Sequence, residues 1–116
     1  MAEVSRRGLL LAVAAGLALL CNIGHSTVAK APGAATHTVV IEGMQFSPTT
    51  LTVKVGDKVT WLNRDLFPHT VTADQHRFDS HAIAAGGSWT FTPKKAGVTS
   101  YGCTFHPTMR GTLRVQ

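Results

Sequence analysis

The sequence reads as a single all-β domain, a sandwich of short strands, preceded by a segment that is not part of the fold. Three observations carry that expectation. Runs of β-branched and aromatic residues alternate apolar with polar, and turn signals separate them at regular intervals. Outside the first 29 residues no stretch of useful length places apolar side chains at the 3.6-residue helical period. At 116 residues the chain supports one core, so no second domain is expected.

Residues 1–29 read as a signal peptide. Arg6 and Arg7 stand ahead of an apolar run from Leu9 to Leu20, too short to span a bilayer comfortably and followed by small and polar residues. Thr27-Val-Ala29 supplies a small-x-small cleavage site, with Ala31 an alternative. Ser5-Arg6-Arg7 partly matches a twin-arginine export signal, the lysine often found after the apolar pair being absent, so twin-arginine and general secretory export both stay open. Export places the mature chain in the periplasm, without a membrane span. Residues 30–36, rich in Ala, Pro and Gly, read as a flexible leader into a domain at 37–116.

Strands are expected at Thr38–Ile41, Leu51–Val55 and Lys58–Leu62, with Gly56-Asp57 as a turn between the last two. Val53, Val55, Val59 and Trp61 alternate with polar residues as one buried face requires. Thr70–Ala73 follows, then a polar patch at Asp74–Arg77, a strand at Ser88–Thr92 and a turn at Pro93–Gly97. The last two strands run through Val98 and Ser100 to Cys103, and from Gly111 to Gln116. Trp61 and Trp89 are assigned to the core.

Between those last strands, Cys103, His106 and Met109 follow one another at three-residue steps. Singly each is unremarkable as chemistry: a buried Cys is usually a small hydrophobe, a Met fills gaps, and His-Pro is common in loops. Together a thiolate, an imidazole and a thioether are too soft for magnesium or calcium and suit a type 1 copper site. Such a site needs a second imidazole, and His69 in Phe67-Pro-His69-Thr-Val71 offers one at the head of an alternating run. The cysteines agree: Cys21 lies in the leader, leaving Cys103 unpaired in an oxidising compartment, and metal ligation gives that thiol a purpose.

The segments Trp61-Leu-Asn-Arg-Asp-Leu-Phe-Pro-His-Thr-Val71 and Tyr101-Gly-Cys-Thr-Phe-His-Pro-Thr-Met-Arg-Gly111 resemble the two ligand loops of the cupredoxins, the plastocyanin/azurin-like blue copper proteins. Within them the short C-x-x-H-x-x-M loop is most similar to the amicyanin branch. The resemblance covers roughly His37 to Gln116. It implies a Greek-key cupredoxin fold and one type 1 copper ion held by His69, Cys103, His106 and Met109. It also implies that Asn63 ties the ligand loops together while its neighbourhood donates a backbone N–H to the sulfur, with Thr104 a further outer neighbour of the thiolate.

The implied function is single-electron transport, without enzymatic activity, between redox proteins such as a c-type cytochrome or a dehydrogenase. These would dock transiently on a monomer near His106, whose rim would be Phe67, Pro68, Phe105, Pro107 and Thr108. Thr108 departs from the bulky aromatic, and Phe105 from the proline, common in amicyanins. Rival readings are a periplasmic copper carrier or storage protein, a copper oxidase fragment and a structural zinc site; the chain has neither a Met- or His-rich tail nor the His-x-His pairs a multi-copper cluster needs. His76 and His81 could join Asp74 or Asp79 in a second metal site, but solvated loop residues are the expectation, since no ligand pair shares a strand face. The formal charge of +5, one unit of which leaves with the leader, is not clustered with aromatics, so no nucleic-acid partner is expected.

Overall fold

The computed structural model describes residues 33–116, together with Gly16 and Gly24. The expected signal peptide and the first residues of the expected leader therefore lie outside the described residues, apart from those two glycines. Among the described residues no helix is long and apolar enough to cross a membrane.

Among the described residues eight strands form the domain: β1 Thr36–Glu42, β2 Gln45–Ser47, β3 Thr50–Val53, β4 Lys58–Asn63, β5 Thr72–Ala73, β6 Ser88–Phe91, β7 Gly97–Gly102 and β8 Arg110–Val115. They make two four-stranded sheets, ordered β2-β1-β4-β6 and β3-β8-β7-β5. A single 3-10 turn, Asp74–His76, occupies the polar patch after β5. Pairing is antiparallel except for β1 with β4 and β3 with β8, which are parallel and bring strands distant in sequence side by side.

The alternation seen in the sequence is the burial pattern of the inner faces. Val39 and Ile41 of β1 and Val59 and Trp61 of β4 are fully buried, facing Val53, Tyr101 and Leu113 from the other sheet. Trp61 meets Tyr101 edge to face at 5.5 Å, and Phe46 meets the same tyrosine at 4.8 Å, geometries that add about 0.5–1.5 kcal/mol each beyond burial. Gly111 on β8 is required by this packing, since a Cβ there would run into the Tyr101 ring. Trp89 is only partly buried and packs on the edge of the core, stacked against Phe91.

Two expectations need correction. Val55 is 45% exposed and does not share the face of Val53, because β3 ends at Val53 and the chain turns away there. The expected turn is present around Gly56, and because β3 and β4 belong to different sheets it is a corner of the sandwich. On β7, where the sequence assigned no inward face, Val98 is 59% exposed and Tyr101 and then Cys103 point inward. The first strand begins at Thr36, inside the expected leader, because the Asp57 carboxylate already holds the Ala35 N–H at 3.1 Å.

One strand was not legible beforehand. β2 returns on β1 through Gly43-Met44, both with positive φ (60° and 57°), with Glu42 opposite Gln45. A two-residue hairpin loop with both central residues left-handed matches the right-handed twist of the strands, but Gly-Met is not a usual turn pair.

Candidate metal centre

The ends of β4 and β7 and the starts of β5 and β8 lie at one end of the sandwich, bringing loops 64–71 and 103–109 together. The second loop has a local logic. His106 N–H donates to the Cys103 carbonyl at 3.3 Å, Met109 N–H to the His106 carbonyl at 2.9 Å, and Cys103 N–H to the Met109 carbonyl at 3.2 Å. Three-residue steps are thus the repeat of successive tight turns, and each predicted ligand starts or ends one of them.

His69 comes from the other loop and is fully buried. An isolated bridge fixes its backbone: Ile83 N–H donates to the His69 carbonyl at 2.7 Å and His69 N–H to the Ile83 carbonyl at 3.2 Å. Its Nδ1 lies 3.7 Å from Cys103 Sγ, and so does Nδ1 of His106. The ligand atoms of His69, Cys103 and His106 all fall within 4.8 Å of one another. Met109 is 2% exposed, and Cys103 4%. A separation of 3.7 Å is long for a useful hydrogen bond but suits two donors that each reach one ion at about 2.0–2.3 Å. The chemistry of the donor set fits copper: neutral imidazoles, one thiol able to ionise and a thioether, without a carboxylate among them.

The outer contacts differ from expectation. Asn63 is fully buried, but its Nδ2 donates to the carbonyls of Phe67, Ile83 and Ala84 at 2.9, 3.0 and 3.3 Å, and its Oδ1 accepts the Asp65 N–H at 3.0 Å. Asn63 therefore ties the His69 loop to the segment before β6 and not to the cysteine loop. The two ligand loops are joined instead by Thr70, whose Oγ1 accepts the Thr104 N–H at 2.9 Å. Thr70, not a neighbour of Asn63, also supplies the donor to sulfur, its N–H lying 3.3 Å from Sγ.

Sequence reading missed Asp65 altogether. Its Oδ2 lies 2.7 Å from Nε2 of His69, and its oxygens also accept the N–H groups of Gly43 and Met44. Burial pushes the Asp65 carboxyl up, but the bonds from Met44, His69 and Gly43 together outweigh it and hold the group below the ordinary carboxylate value. The Asp-x-x-x-His spacing brings the two side chains within reach but does not by itself turn the carboxylate to the ring.

At the surface His106 is half-buried, and Phe67, Pro68, Phe105, Pro107 and Thr108 are all exposed around the two loops. The Phe67 ring lies 5.1 Å from that of His69 and 5.9 Å from that of His106. Leu66, which was not singled out from the sequence, is 93% exposed beside them. His76 and His81 stand apart, 79% and 88% exposed, with Nδ1 atoms 4.0 and 3.9 Å from Asp79 Oδ2; Asp74 pairs with Arg110 at 2.9 Å instead.

A two-sheet Greek-key sandwich that gathers two imidazoles and a thiol at one end, with a buried methionine closing the same loop, defines a cupredoxin with the donor set of a type 1 copper site. The chain belongs to the plastocyanin/azurin family of copper binding proteins, whose description it matches over residues 33–116. It is 35% identical over 83 residues to amicyanin of Paracoccus denitrificans, covering 67% of this chain and 63% of that protein. Plastocyanin of Scenedesmus fuscus is 33% identical over 84 residues, covering 61% of this chain and 86% of that one. Among solved structures, a copper(I) form of an amicyanin variant superposes with a TM-score of 0.66 at 32% identity, over 70% of this chain and 82% of that chain. A purple cupredoxin from Nitrosopumilus maritimus superposes with a TM-score of 0.65 at 28% identity, over 69% and 99%. The chain thus spans somewhat under two thirds of the length of the Paracoccus denitrificans amicyanin it matches.

Proposed function

We propose that the protein is an exported type 1 copper protein that carries single electrons between redox partner proteins, with His69, Cys103, His106 and Met109 as the ligands of one copper ion. Bound copper supplies a one-electron couple. The chain's own part is to keep the donor atoms still, because electron exchange is fast when the surroundings of the ion need not rearrange.

The observation that carries this reading is the double anchoring of the ligands. His69 is held along its backbone by Ile83 and through its ring by Asp65, while Cys103 and His106 sit in a loop closed by its own turns and tied to Thr70. Four protein donors leave no position kept open for a substrate, which separates an electron carrier from a metal-dependent enzyme. The half-buried His106 ring, beside Phe67, offers the short route outward, and the exposed apolar residues around it suit brief docking of a dehydrogenase or a c-type cytochrome.

The test is optical and electrochemical. The purified chain loaded with Cu(II) should show an intense visible thiolate-to-copper band that bleaches on reduction and returns on oxidation, and Cys103→Ser should abolish it. A serine variant that stays equally coloured would sink the assignment.

A further inference from the structure

Asp65 is not among the ligands, yet its side chain is only 10% exposed and its Oδ2 lies 2.7 Å from Nε2 of the fully buried His69. The carboxylate is itself held. Gly43 N–H donates to Oδ1 at 2.8 Å, Met44 N–H to Oδ2 at 3.0 Å, and the backbone N–H of Asp65 donates to Asn63 Oδ1 at 3.0 Å. Gly43 and Met44 both have positive φ, which turns two successive N–H groups the same way and makes a small anion-binding nest. Met44 is not a glycine, so that conformation has a cost, and the bond to Asp65 offsets it. The hairpin loop missed in the sequence and the copper ligand are thus two ends of one chain of contacts.

An ionised carboxylate only accepts hydrogen bonds, so the contact with His69 has one sense: Nε2 must carry the proton and donate. In the neutral ring, the form able to bind a metal, Nδ1 then keeps its lone pair, and Nδ1 is the atom facing Cys103 Sγ at 3.7 Å. We infer that Asp65 is a positioning residue of the centre: its carboxylate selects the Nε2–H form of His69, aims Nδ1 at the metal, and lowers the reduction potential by placing a negative charge one imidazole away. Negative charge favours the more highly charged oxidation state, and a carboxylate behind a histidine raises that ligand's basicity. This rests on the copper reading above.

Two substitutions separate the effects. In Asp65→Asn the amide oxygen takes the Oδ2 position, where two donors meet, so the bonds from His69 and Met44 survive while the charge and the acceptor for the Gly43 N–H are lost. Asp65→Ala removes the acceptor. In metal-free wild-type protein, nitrogen NMR of His69 should find the proton on Nε2; in metal-free Asp65→Ala that preference should be lost. Asp65→Asn should keep the visible band while its preference for Cu(II) over Cu(I) falls about tenfold, a rise of about 59 mV for one electron. A wild-type His69 protonated on Nδ1, or an Asp65→Asn potential equal to wild type, would overturn the inference. Should Asp65→Ala not fold, the wild-type spectrum and Asp65→Asn decide it alone. A wild-type protein that never turns blue would count against the copper reading instead, and the tautomer is read without copper.

Discussion

Thr70 and Thr104 are 34 residues apart in the chain, yet the Thr104 N–H donates to Thr70 Oγ1 at 2.9 Å while the Thr70 N–H points at Cys103 Sγ, 3.3 Å away. One residue therefore both joins the two ligand loops through its side chain and donates to the cysteine sulfur through its backbone. Replacing Thr70 by Val removes only the first role. The variant should lose about 1–3 kcal/mol in urea unfolding of the metal-free protein, since it strands the partners of a largely buried hydroxyl. Its visible band should persist, because the N–H to sulfur remains. A loss of colour in a folded Thr70→Val protein would contradict this division of roles.

Met109 is buried, and leucine replaces methionine at nearly constant volume, so Met109→Leu should cost less than about 1.5 kcal/mol of stability. As a weak axial donor the thioether matters more to potential than to affinity. The leucine variant should still bind copper, with a potential raised on the order of 59 mV, the equivalent of a tenfold change in the ratio of Cu(II) to Cu(I) affinity. Folded protein that no longer takes up copper would rule out a merely axial role.

Phe67 and Phe105 are 42% and 53% exposed on the two loops that carry His69 and His106. Glutamate at either position should leave the visible band almost unchanged and slow electron exchange with the physiological partner by about tenfold or more, the effect of losing roughly 1.4 kcal/mol of docking energy. Stopped-flow exchange across a range of salt concentrations checks it. Wild-type rates in both variants would place the transfer surface elsewhere.

At the opposite end of the sheets Asp57 closes the corner between β3 and β4. Its oxygens accept the N–H groups of Lys54 and Ala35 and contact Nε2 of His37 at 2.9 Å. The Lys54 N–H, then His37, hold the carboxyl below its ordinary value of 3.8 against the opposing effect of burial. A carboxyl whose pKa is depressed in the folded state stabilises that state above the ordinary pKa, and the contribution disappears as pH falls through the folded value. Wild type should therefore lose stability as pH drops below about 4, and Asp57→Asn should show a shallower loss there and a constant deficit at higher pH. Urea titrations of both metal-free proteins between about pH 3 and pH 7 measure this; parallel curves would remove Asp57 from the account.

What the sequence by itself determined is the local part. Alternation along β4 told that Val59 and Trp61 face inward, and the Cys103-His106-Met109 spacing told that the three share a loop, because both are properties of chain segments a few residues long. The donor chemistry of those residues with His69 was likewise legible, since it depends on side-chain type. Tertiary structure alone decided the rest. Alternation does not say which strand a strand will pair with, so the sheet change between β3 and β4, and with it the exposure of Val55, could not be read from the Gly56-Asp57 turn. Nor do four residues of separation reveal that Asp65 turns its carboxylate to His69, because that orientation is set by the Gly43 and Met44 amides on a hairpin more than twenty residues upstream. Hydrogen bonds such as those of Asn63 and Thr70 are choices among many nearby partners, and only the packing of the two loops at one end of the sandwich makes the choice.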